Sequence, residues 1–231
     1  MLINADFSKR IVIRPQDQVW RPSPMAGVDR MMLDRIGDEV ARATSIVRYA
    51  PSSHFSAHVH GGGEEFLVLS GSFHDDAGDY PEGQYVRNPI GTSHAPWSGP
   101  DGTVIFVKLH QFDKDDTRQF DVDTQSGRWS EAGASEPASL PLHKFGSEEV
   151  ALHRWPSGYG PEAASHPGGL EILVLDGSLH DSEGDYPTGT WMRLPPGSSS
   201  KFSSGEDGVR FYAKSGHLSA EMASGEGAAS P

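Results

Sequence analysis

Cysteine is absent from all 231 residues. That excludes a disulfide framework, thiolate metal ligands and a cysteine nucleophile, and it fits a reducing compartment. Long apolar runs are missing as well. No stretch approaches the ~18 residues a membrane span needs, and the first residues, MLINADFSKRIVIRPQ, carry charge early. A soluble, cytoplasmic protein is the expectation. Basic residues are scarce, 19 Lys and Arg against 32 Asp and Glu, for a formal charge of −13. Such a surface repels phosphate backbones and anionic membranes, so neither nucleic acid nor membrane is expected as a partner. No segment offers a persuasive long amphipathic helix; VDRMMLDRIGDEVAR carries a weak helical pattern but reads mostly as strand and turn. What the chain has in quantity is glycine (27) and proline (17) between short β-rich runs, the mark of an all-β chain with frequent turns.

The chain also repeats itself. GSFHDDAGDYPEGQYVRNPIG returns as GSLHDSEGDYPTGTWMRLPPG, at an offset of 106 residues that carries Glu65 onto Glu171. A period this long, present twice, means a duplicated domain rather than a solenoid. In each copy short strand-like runs alternate with Gly, Pro, Asp and Asn turn signals at the spacing of a sandwich or barrel. The expected layout is a first barrel over 1–112, an acidic loop-like linker over 113–139, a second barrel over 140–217 and a disordered tail over 218–231.

The two copies differ where chemistry is concentrated. In the first, HVHGGGEE sets His58 and His60 at i and i+2, on one face of a strand. Three glycines allow a sharp turn, and Glu64 enters the next strand in phase with Phe66 and Val68. Later, NPIGTSH places His94 after a Pro89–Gly91 turn. Three imidazoles and a carboxylate on neighbouring strands could converge on one divalent ion of the zinc, iron, manganese, nickel or copper type. In the second copy only His60 has a counterpart, His166; His58, Glu64 and His94 are replaced by Ala164, Leu170 and Ser200. Gly71, Asp79, Tyr80, Pro81, Gly83, Arg87, Pro89 and Gly91 all recur, as turn and packing residues would. The expectation is a metal site in the first barrel and none in the second. His74 and His180 sit in the same HD context in both copies and read as hydrogen-bonded structural histidines.

The spacing resembles the two motifs of the cupin superfamily, G-x5-H-x-H-x3,4-E-x6-G and G-x5-P-x-G-x2-H-x3-N. His58-x-His60-x3-Glu64-x6-Gly71 follows the first, and Gly83-x5-Pro89-x-Gly91-x2-His94 follows the second. Ser52 stands in place of the first glycine and Ser98 in place of the asparagine. Within cupins the phrases around both copies resemble the ChrR-like group, the C-terminal domains of zinc-dependent anti-sigma factors and related free-standing cupins. The resemblance implies two jelly-roll barrels, the ligand set His58, His60, Glu64 and His94, and one divalent metal per chain. Zinc comes first, with iron, nickel or manganese also suited.

Two functions follow from the resemblance. One is a regulatory or small-ligand-binding cupin, possible as a homodimer. Sigma-factor binding is not supported, since the family carries it on a helical zinc domain with His and Cys ligands. The alternative is an iron or nickel dioxygenase acting on a small chelating ketone or diketone. Phe66, Tyr85 and Trp97, with Val68, are candidates for an apolar wall around the metal; Trp97 is singled out because Ser203 replaces it in the second copy. No acid–base or nucleophilic pair stands out beyond the ligands, so no catalytic residue is assigned.

Overall fold

The computed structural model describes residues 1–38, 40–130, 133 and 135–218, so the tail from 219 onward lies outside the described residues. The described chain is built from strands and one three-residue 3-10 turn, Pro15–Asp17. VDRMMLDRIGDEVAR forms strand, Val28–Gly37 leading into Ala41–Tyr49, because Val28, Met31 and Leu33, and then Ala41 and Ala43, find buried places in a sheet. No described helix is long and apolar enough to cross a membrane.

Two compact units form, and each has the β-strand plan of the expected jelly roll. In the first, the central strands Ala41–Tyr49, Trp97–Leu109, Glu64–Asp75 and Gln84–Asn88 lie side by side. A two-stranded sheet, His58–Val59 with Ser93–His94, forms a separate ladder. The second unit repeats this plan with Glu148–Trp155, Ser203–Ser215, Leu170–Asp181 and Trp191–Leu194, and a small ladder of Ala164–His166 with Ser198–Ser200. The strand EEFLVLSGSFHD shows why the sheet closes over a core. Phe66, Val68 and Phe73 are at most 2% exposed and pack with Val28, Val47, Val86, Ile105 and Val107. Each large side chain so buried contributes on the order of 1.5–3 kcal/mol.

Two recurring glycines mark where the long strands bend. Gly71 has φ +73°, and a β-carbon there would lie 2.1 Å from the carbonyl oxygen of Gly102; Gly177 meets Gly208 identically. Neither site admits a side chain. The motif position held by Ser52 also behaves as a glycine site: its φ is +51°, and its counterpart Gly158 has φ +64°. Ser98 works as a staple, its hydroxyl donating to Ala50 O while accepting from Ser53 N–H, and Ser204 does the same between Pro156 O and Tyr159 N–H.

The layout departs from the expected boundaries at two arms. Asp6–Gln18 groups with the second unit, where Ile11–Ile13 adds a strand to Trp191–Leu194. The connector is not a plain loop either, since Phe120–Asp123 adds a strand to Gln84–Asn88 of the first unit. Each arm thus completes the same edge of a barrel, with short alternations (Ile11 and Ile13; Phe120 and Val122) too brief to announce themselves in sequence.

Candidate metal centre

The small ladder sets the site. His94 pairs directly with His58 across it, and His60 follows on the same face. The chain then turns through Gly61–Gly63. The last two glycines are required by packing: a β-carbon on Gly62 would collide with His110, and one on Gly63 (φ +77°) with the ring of Phe112. Glu64 opens the next strand beside Asn88, which reaches its Oε2 at 3.4 Å.

All four expected ligands come together, their ligand atoms within 4.8 Å of one another. His58 Nε2 lies 3.1 Å from His94 Nε2, and Glu64 Oε2 lies 3.3 Å from His60 Nε2 and 3.7 Å from His94 Nε2. The three rings stand nearly perpendicular to each other, at 77–82°. His60, Glu64 and His94 are buried, whereas His58 is exposed and marks the open side.

The outward nitrogens decide what the inward ones can do. His58 Nδ1 meets the carbonyl oxygen of Ser56 at 3.1 Å, an acceptor only, so this nitrogen carries the proton. His94 Nδ1 donates to Asp75 Oδ2 at 3.0 Å. His60 Nδ1 meets Thr92 Oγ1 at 2.9 Å, and because that hydroxyl donates to Pro89 O, His60 must be the donor to it. When these rings are neutral, every Nε2 presents a lone pair to the same point, facing a carboxylate oxygen. Lone pairs at this spacing repel unless a cation or a proton lies between them. Burial holds His60 below the ordinary imidazole range, with His94 and His58 adding to the effect and Glu64 opposing it. The buried Nε2 of His60 makes no hydrogen bond. Neutral imidazoles with an orphaned inward nitrogen fit a divalent metal ion.

Asp75, which sequence reasoning passed over, orients His94. Its Oδ1 accepts from the N–H groups of Ala77 and Gly78 and from the Tyr80 hydroxyl, leaving Oδ2 for His94. Burial alone would raise this carboxyl, but those hydrogen bonds, His94 first among them, hold it below the usual carboxylate range. Asp75→Asn is expected to weaken metal binding by roughly 10- to 100-fold, because an amide no longer fixes the His94 tautomer. Competition with a chromogenic chelator measures this, and an unchanged affinity would remove Asp75 from the site.

The apolar wall differs from the expected one at Tyr85 and Trp97. Phe66 and Val68 sit in the core below Glu64, and Phe73 packs against His94 at 5.9 Å, backed by Phe66 and by Tyr49, itself 5.0 Å from Phe55. Tyr85 faces the other way. It pairs with Leu67, while Val86 pairs with Phe66, so its ring lies on the opposite face of the sheet with its hydroxyl on Glu65. Trp97 also points away from the metal ligands. It pairs with His74 and stacks on that ring at 5.7 Å and 8°, with His54 stacked on it at 6.0 Å. His74 and His180 are hydrogen-bonded as expected, each between a serine hydroxyl and an aspartate. In the second barrel the site positions are occupied by Ala164, Leu170 and a His166 Nε2–Ser200 Oγ hydrogen bond of 2.8 Å.

A model of the ChrR cupin-like domain matches the chain twice, over residues 8–113 and 117–219. The chain belongs to that family. Among solved structures, this ChrR-like cupin is similar to a suspected dioxygenase from Nostoc punctiforme, with TM-score 0.70 at 17% identity over 93% of this chain and 81% of that one. It is similar also to Bacillus subtilis oxalate decarboxylase. One variant gives TM-score 0.64 at 13% identity, over 89% of this chain and 76% of that one. A further structure of that decarboxylase, concerned with its Mn(II) centres, gives TM-score 0.62 at the same identity and coverage. These likenesses establish the fold. Comparison with curated proteins returns no match.

Proposed function

We propose that this ChrR-like cupin binds one divalent transition metal, zinc first, through His58, His60, Glu64 and His94, and uses it to capture a small anionic ligand in a regulatory or sensing role. The observation that carries the reading is the convergence of three Nε2 lone pairs whose protons are all committed outward, to Ser56, Thr92 and Asp75. Three neutral imidazoles and one carboxylate leave a divalent ion with one net positive charge, which favours an oxygen-donor anion. The exposed edge of His58 gives that ligand a way in, and Phe73 offers it an apolar neighbour. When bound, the metal would polarise such a ligand as a Lewis acid.

Binding rather than turnover is favoured by the absence of a ready proton carrier among the described residues at the site. Asp75 already accepts from His94, Ala77, Gly78 and Tyr80. Tyr49 is kept protonated by burial, with the Glu64 carboxylate adding to the effect. The alternative is an iron- or nickel-dependent dioxygenase for a chelating ketone or diketone; the likeness to a suspected dioxygenase and the aromatic wall of Phe73, Phe66 and Tyr49 favour it. An oxygen electrode separates the two. Protein loaded with Fe(II) or Ni(II) and given a diketone should consume no oxygen beyond a His94→Ala control. Steady consumption, absent from that control, would replace the binding role with the oxygenase.

A further inference from the structure

We infer that the second barrel binds a planar aromatic ring, in the place that the first barrel fills with its own Trp97. In the first barrel three rings form one stack: Trp97 lies on His74 at 5.7 Å and 8°, and His54 lies on Trp97 at 6.0 Å and 22°. Strand pairing fixes the order, since Trp97 is the partner of His74 and bridges to His54. His74 is held flat by two bonds, Nε2 to Ser72 Oγ at 2.8 Å and Nδ1 to Asp79 Oδ1 at 2.6 Å.

The second barrel keeps the platform and drops the cover. His180 is held in the same way, by Ser178 Oγ at 3.0 Å and Asp185 Oδ1 at 2.5 Å. Its strand partner, in the register of Trp97, is Ser203. Gly160 takes the place of His54 and remains beside Ser203, for a β-carbon on it would lie 3.4 Å from that of Ser203. Removing an indole and an imidazole leaves a cleft of ≈ 460 Å³ lined by His180, Gly160 and Ser203, with Arg10, Glu183 and Lys201 among its polar walls. That volume is in the range of small-molecule sites, about 300–1,000 Å³. A fixed imidazole face is a stacking surface, and here the chain's own first half shows the partner it accepts: a flat bicyclic ring lying parallel to it. The serine hydroxyl, Lys201 and Glu183 would meet polar substituents at the ring's edge. The ligand class is a planar heteroaromatic of indole size. This site shares no residue with the metal centre.

Indole itself is the probe, titrated into the full chain by calorimetry while the imidazole resonances are followed by nitrogen-detected NMR. Wild type should bind one indole and shift the His180 ring signals. His180→Ala should weaken binding by roughly two- to tenfold, the loss of one stacking face. Ser203→Trp should abolish it by supplying the missing ring, and Gly160→His does the same from the other side should Ser203→Trp fail to fold. Trp97→Ala is the mirror control, opening a second equivalent over His74. An unshifted His180 in wild type, or undiminished binding in a folded Ser203→Trp or Gly160→His, would overturn the inference.

Discussion

His94→Ala should strip the chain of its metal, from about one equivalent to near none, while His166→Ala leaves the content unchanged. The geometry makes the two substitutions opposite in kind. His94 Nε2 faces His58 Nε2 at 3.1 Å and Glu64 Oε2 at 3.7 Å, so it is one of four converging donors. If the ~10–16 kcal/mol typical of structural zinc is shared among four ligands, losing one costs roughly 3 kcal/mol, or more than about 100-fold in affinity. The damage goes further, because Asp75 Oδ2 loses the donor it holds at 3.0 Å and its buried charge is left with less compensation. His166 stands in a different setting. Its Nε2 is already bonded to Ser200 Oγ at 2.8 Å, and Leu170 occupies the place of a carboxylate. Plasma mass spectrometry on untagged protein, after dialysis against a weak chelator, reads both variants. Metal retained by His94→Ala would mean the ion binds elsewhere, and metal lost from His166→Ala would transfer the site to the second barrel.

The convergence of the four candidate ligands was legible because strand geometry writes it at short range. His58 and His60 share a face by the two-residue period, and the glycine turn and the Pro89–Gly91 turn bring the other two donors back to it. The duplication helped, since a site present in one copy and erased in the other stands out. The same comparison concealed Asp75. It recurs as Asp181, so no exchange between the copies marks it, yet the two residues do different things. Where Asp75 Oδ2 holds His94, Asp181 Oδ2 holds the Arg10 guanidinium at 2.8 Å, supplied by a segment some 170 positions away in sequence. Tyr85 was misplaced for want of register: its face depends on pairing with Leu67, which sequence does not reveal. Trp97 was drawn to the metal by its replacement with Ser203, yet that exchange belongs to the ring stack over His74. The destinations of the arms were hidden for the same reason, because a three-residue strand such as Ile11–Ile13 carries no address.

Arg87→Ala should destabilise the first barrel by about 3–5 kcal/mol, the cost of removing one partner from a buried ion-pair network. Arg87 is 1% exposed, yet it sits among ionised partners rather than in the apolar core. One guanidinium nitrogen bonds Glu65, the other bonds Asp116 Oδ2 at 2.6 Å, and the plane lies over the Phe112 ring at 4.1 Å. Glu65 and Asp116 are themselves buried, at 1% and 4% exposure. Alanine would leave two carboxylates close together in a low-dielectric setting, where one must take up a proton or draw in water. The Tyr85 hydroxyl on Glu65 offers a hydrogen bond but no charge. The sign of the pH dependence follows. With the cation gone, the carboxylates gain protons more readily when folded than unfolded, so the variant should recover stability as pH falls, unlike wild type. Urea unfolding between neutral and mildly acidic pH, followed by circular dichroism, measures both effects. The combined change Arg87→Met with Glu65→Gln and Asp116→Asn should regain much of the loss, because it removes the charges together instead of stranding two of them. If Arg87→Ala alone unfolds like wild type at neutral pH, the charge network is held by solvent and not by the guanidinium, and the recurrence of arginine at 193 then needs another reason.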